Sequence, residues 1–193
     1  AEGAYKEVIK NSLTKEKIEN AHIQLLKISR ILGDHRSAER KIKSMLIDEK
    51  FKNIKGELEL ELVQLYLAQK DVDNAIVRLE SIIKDYQRTK TSAEAYYLMG
   101  QINLSDIWKL DLAKEKFSQV KKEYNRSEYG PIAESKIKAI DAYNESLNSL
   151  KVYDAIKSDT LLKDTTATDS INNKVDKIAK SYEELLYHIG DLE

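Results

Sequence analysis

The chain has 193 residues, and its 32 Lys and Arg side chains nearly cancel its 33 Asp and Glu, leaving a formal net charge of -1. That balance argues against nucleic acid or an anionic membrane surface as the partner, since either selects a basic excess, while 41% apolar residues suffice for a buried core. With no Cys, one Pro and six Gly, the chain lacks disulfides and thiolate chemistry, and its few turn residues point to helices.

In chain order, the first predicted element is a helix from about Glu2 to Ser12. Three units of similar pattern follow, over residues 19–55, 56–92 and 93–130. They align on an alanine with a large apolar residue four positions on: Ala38 with Ile42, Ala75 with Leu79, and Ala113 with Phe117. The alanines are 37 and then 38 residues apart, and the extra residue falls in the turn around Trp108, where an insertion is tolerated. Within each unit the apolar residues recur at helical spacing on both sides of a polar turn. In the second unit these are Leu58, Leu62, Leu65 and Tyr66, then Ala75, Ile76, Leu79, Ile82 and Ile83. Each unit therefore reads as two helices whose apolar faces are completed by the neighbouring pair.

Counting back 37 residues from Ala38 reaches Ala1, so residues 1–18 read as the second half of a further unit. Beyond the three units, residues 131–160 read as one long helix opening at Pro131, residues 161–170 as a Thr-rich linker with Asp169 or Ser170 as cap, and residues 171–193 as a last helix. The turn expected at Gly190 and Asp191 makes that helix the start of another unit. Basic residues prevail over 1–55 and acidic ones over 151–193, a mild charge gradient along the chain.

Nothing in the pattern speaks for catalysis. His22, His35 and His188 are far apart and in no metal-binding spacing, and no phosphate-loop, dinucleotide or nucleophile-elbow motif occurs. No apolar run approaches the length of a membrane span. The expectation is a protein that is not an enzyme and needs no cofactor or metal.

The units resemble the tetratricopeptide repeat. The residues that carry the resemblance are Met99 and Gly100 in a first helix, Tyr66 near the end of its counterpart, Gly33 at the turn, and the alanine and large-apolar pairs of the second helices. Lys50, Gln87 and Asn125 stand where the family has a proline, and only Tyr96 stands for its early bulky residue. The period exceeds that of the family by about three residues. The additional residues are assigned to the stretches between units, at 53–55, 90–92 and 128–130. This long-linker form is similar to repeats of bacterial envelope proteins concerned with outer-membrane assembly and cell-division coordination.

The resemblance implies an all-α, right-handed superhelical solenoid of antiparallel helix pairs, a scaffold for a protein or peptide partner, and a periplasmic or outer-membrane-associated setting. It also implies a groove lined by the first helices. Carried over, its residues are Asn20, Ile23, Lys27 and Arg30; then Glu57, Leu60, Gln64 and Leu67; then Glu94, Tyr97, Gln101 and Leu104. Ile23, Leu60 and Tyr97 replace the polar set with which some relatives clamp a C-terminal carboxylate, so a helix or strand held by packing and amide hydrogen bonds is the expected ligand. The runner-up expectation is a helical oligomerisation or regulatory segment of a larger protein, self-associating through the ends of the array.

Overall fold

The computed structural model describes residues 1–105, 108–159 and 165–190. Their regular structure is all helical: α1 (Glu2–Asn11), α2 (Lys15–Ile31), α3 (His35–Ile47), a 3₁₀ segment (Glu49–Ile54), α4 (Lys55–Ala68), α5 (Val72–Asp85), α6 (Lys90–Ser105), α7 (Leu110–Glu123), α8 (Tyr129–Asp159) and α9 (Thr165–Gly190).

The helices form repeat-like pairs, α2 with α3, α4 with α5 and α6 with α7, joined by short turns. The turn of each pair contains one residue in the left-handed region at the same register: Gly33 (φ 78°), Lys70 (φ 60°) and Trp108 (φ 52°). That conformation ends the first helix by returning a backbone N–H to the preceding turn. Asp34 N–H donates to the Ser29 carbonyl and Asp71 N–H to the Tyr66 carbonyl, each at 2.9 Å. In the third pair Lys109 N–H reaches the Asn103 carbonyl at 2.7 Å, one residue further back. The extra residue of the third interval is taken up in this turn.

The pairs lock by complementary size. Ala38, Ala75 and Ala113 are all buried, and with no side chain beyond Cβ they let the helix backbones approach. Beside them the second-helix residue grows from Ile42 to Leu79 to Phe117, while the first-helix residue at the matching register shrinks from Leu26 to Val63 to Gly100. At Gly100 the fit is tight, since a Cβ there would lie 2.5 Å from the Phe117 ring. One core cluster joins α2, α3 and α4, a second α4, α5 and α6, and a third α6, α7 and α8. Thus α3, α5 and α7 each pack on their own first helix and on the next one. The first helices also touch in succession, α2 with α4, α4 with α6, and α6 with α8.

Polar ties connect neighbouring pairs. Arg30 Nε donates to the buried Glu61 carboxylate at 2.7 Å. Glu123 on α7 accepts from the Arg88 backbone N–H (2.6 Å) and the Ser92 hydroxyl (2.8 Å). Thr89 and Ser92 cap one another, each hydroxyl accepting from the other's backbone N–H. This box starts α6 at Lys90, so residues 90–92 form the helix's first turn and not the expected linker. Similarly, 129 and 130 open α8, and only the stretch before α4 has separate structure, as the 3₁₀ segment.

The C-terminal part departs from the repeat. The 31-residue α8 spans about 46 Å at 1.5 Å per residue, twice the length of α7. α9 begins at Thr165, so Asp169 and Ser170 lie inside it, not at its cap, and the expected linker over 161–170 is half helix. No Gly or Pro interrupts residues 165–170, and Thr merely weakens a helix without ending one. The expected turn at Gly190 and Asp191 runs beyond the described residues.

Candidate interaction face

The successive contacts of α2, α4 and α6 bring the sequence-derived groove positions onto neighbouring helices, but not all onto one open face. Asn20, Lys27 and Glu57 are exposed; Arg30, Gln64, Leu67, Glu94 and Tyr97 are half-buried. Ile23, Leu60, Gln101 and Leu104 are buried and correct the expectation, because they are core and not groove lining. Ile23 packs with the first cluster, Leu60 with the second and Leu104 with the third. Helical geometry supplies the reason. Positions three residues apart point about 60° apart around the axis, so Ile23 and Leu60 turn into the seam while Asn20 and Glu57 look outward.

Arg30 and Tyr97 are occupied internally as well. The Arg30 guanidinium is held by Glu61. The Tyr97 ring stacks on Tyr129 of α8, with centroids 4.7 Å apart and planes 28° apart, and leans on Phe117 at 5.8 Å. Truncating Tyr97 therefore loosens the core as well as any binding surface.

What remains accessible is a mixed-charge face centred on Glu94. Its carboxylate accepts from the Tyr129 hydroxyl at 3.1 Å. Burial pushes the Glu94 carboxyl up, and the Tyr129 bond, Lys90 and Lys27 oppose that shift. Burial, then the adjacent Glu94 charge, pushes the Tyr129 phenol up as well. Lys90 pairs with Glu128 at 3.0 Å, which raises its ammonium, and Glu57 acts on it in the same direction. Lys27 and Glu94, from the first and third units, thus share one electrostatic environment. The arrangement can hold a polar or oppositely charged segment across three helices.

Three further features were not legible as functional. Tyr129 joins Glu94 across the unit boundary, a contact that repeat register alone does not reveal. Trp108, Tyr143 and Tyr182 form an aromatic trio with centroids 5.9–6.4 Å apart, drawn from the α6–α7 turn, α8 and α9. Beside it lies an open depression of about 460 Å³ lined by Trp108, Leu110, Leu112, Tyr143 and Leu147. Finally, Gln101 is 2% exposed with neither amide atom hydrogen-bonded.

His22 sits edge-on to Phe51 at 5.1 Å, and burial lowers its imidazole. Among the described residues, no group of three or more His, Asp or Glu could hold a metal ion. No helix among them is long and apolar enough to cross a membrane. Comparison with protein-family models, curated proteins and solved structures gave no match.

Proposed function

We propose that the chain is a non-catalytic scaffold, a tetratricopeptide-like solenoid that binds a protein or peptide partner along the face of its first helices. The observation that carries this reading is the coupling of Lys27 on α2 to Glu94 on α6. Residues at repeat-related positions of the first and third units act on one another, so a single ligand can engage all three. The left-handed residue recurring at Gly33, Lys70 and Trp108 supports the solenoid. The register Lys27, Gln64 and Gln101 carries one basic residue in three, which disfavours a nucleic-acid backbone as ligand. Mixed charges and amides suit a folded or extended polypeptide. The bacterial envelope, from the long-linker resemblance, is the proposed setting.

The test is affinity capture with the chain and two variants of unchanged melting temperature. The doubly charge-reversed Lys27→Glu, Glu57→Lys chain should lose its retained protein at least tenfold, whereas Val77→Glu on the exposed side of α5 should keep it. Retention by all three chains would remove the first-helix face from consideration. The oligomerisation reading draws on the exposed Val175, Leu186 and Tyr187 of α9, and it predicts a concentration-dependent dimer in sedimentation.

A further inference from the structure

The same register position is exposed at Lys27, half-buried at Gln64 and 2% exposed at Gln101. α2, α4 and α6 are each followed by another first helix, so stacking alone does not account for the trend. Among them, α6 is the one that α9 also touches. The packing of α9 is itself unlike that of α3, α5 and α7. Those helices sit between their own first helix and the next; α9 packs on α8 and then returns to α6. It therefore lies on the first-helix side of the molecule, where the proposed partner face continues.

The contact closes on the aromatic trio. Tyr182 of α9 meets Trp108 edge-on at 6.4 Å and Tyr143 at 5.9 Å. Trp108 holds the left-handed turn conformation that Gly33 adopts freely, so a bulky ring is kept where glycine would be easier. A strained position that over-determines a side chain is what a clamp requires. Yet α9 is lightly held. Of its side chains described here, Ser181 is buried, while Val175, Tyr182, Leu186 and Tyr187 are 41–70% exposed. The Ser181 hydroxyl donates to the Ile178 carbonyl of its own helix, and the Gln101 amide stays without a partner.

We propose that the α6–α8 flank is a docking surface for an amphipathic helix, that α9 occupies it as an intramolecular ligand latched by Trp108, and that an incoming helix of like chemistry displaces α9. The inference rests on the reading that partners bind the first-helix side. α9 shows what fits: an apolar residue at Ile178, a small residue at Ser181 for close approach, and an aromatic ring at Tyr182. A ligand helix that also offers a hydrogen-bonding group to Gln101 gains over α9, because a buried amide without a partner is destabilising.

The probe is a fluorescein-labelled peptide of residues 165–190, added to the full chain and to its Tyr182→Ala variant. In the wild type the tethered α9 competes at high effective concentration. The variant should therefore bind the peptide at least tenfold more tightly, with an unchanged main melting transition. Trp108 is the only tryptophan, so its emission should shift to the red in the variant and return when peptide is added; a peptide carrying Tyr182→Ala should do neither. Equal affinity for both chains, no binding to the variant, or binding that leaves Trp108 emission unchanged would each overturn the displacement. A dimer of the Tyr182→Ala chain in sedimentation would overturn it in favour of α9 exchange between copies. Because the probe is the chain's own helix, these failures leave the charge-reversal test of Lys27 and Glu57 standing, and failure of that test alone would leave the latch intact.

Discussion

The pairs from α2 to α7 and the hairpin of α8 and α9 are held by different means. In the pairs, α4 buries seven residues and α6 ten, and cohesion comes from repeated size matching around Ala38, Ala75 and Ala113. In the hairpin, α9 is fastened by an aromatic trio that remains partly exposed. Burial worth about 1.5–3 kcal/mol per large apolar side chain makes the pairs cooperative, since each cluster draws on three consecutive helices. The lesson is that one chain combines a stiff stack with an element that local events can release.

The sharpest way to break the comparison is Ala113→Arg. Ala113 is fully buried at the α6–α7 crossing, and an unpaired charge there should cost about 3–5 kcal/mol. Because the clusters share α6, calorimetry should show the loss across the whole stack. A melting temperature equal to wild type would refute the alanine register. Size matching is tested next. Gly100→Val alone overpacks Phe117, with an expected cost of about 1–3 kcal/mol. Combined with Phe117→Leu it recreates the Val63 and Leu79 pair of the second unit, so urea denaturation of the double variant should recover at least half of the loss.

Much of this architecture was legible in the sequence. The alanine and large-apolar pairs mark real crossings, and the extra residue of the third interval lies in the turn predicted for it. The groove was less legible. The family face, transferred at fixed register, runs over a wide arc of each first helix, and a one-dimensional register cannot say which edge of that arc meets the seam. Ile23, Leu60 and Leu104 went inward for that reason, and their apolar character was the available warning. Gln101 carried no such warning, because its burial comes from the helices that follow the repeats. The same holds for Lys136, fully enclosed on α8, and for the pairing of Glu94 with Tyr129. Such contacts depend on how the last helices close over α6.

Two variants sharpen the contrast at α6 itself. Gln101→Leu removes a buried amide without a partner, and should raise stability by about 1–2 kcal/mol while weakening a ligand that uses the amide. If denaturation shows a loss instead, Gln101 has a structural partner. Glu94→Gln keeps an acceptor for Tyr129 and removes the buried charge. Burial raises the folded carboxyl above its usual 4.5, so the folded state favours the protonated form. That advantage is complete below the unfolded value and is lost as pH rises through the raised folded value. The glutamine variant should therefore be the more stable at pH 8, with the gap narrowing as pH falls toward 4.5. A gap independent of pH would mean that burial is not the cause.

The smallest expected effect separates the two regions most cleanly. Lys70 and Trp108 occupy the same turn position with positive φ, where a residue with a Cβ is strained by about 1 kcal/mol. Lys70 is exposed, so Lys70→Gly should relieve the strain with nothing lost and raise stability by about 0.5–1 kcal/mol after the entropy of the added glycine. Trp108→Gly gives the same backbone relief but deletes the ring that meets Tyr143 and Tyr182. Its midpoint should change little, while hydrogen exchange of α9 should accelerate and that of α2 to α5 should not. If both glycine variants leave α9 exchange at the wild-type rate, Trp108 serves the turn alone, and the hairpin is held as the pairs are.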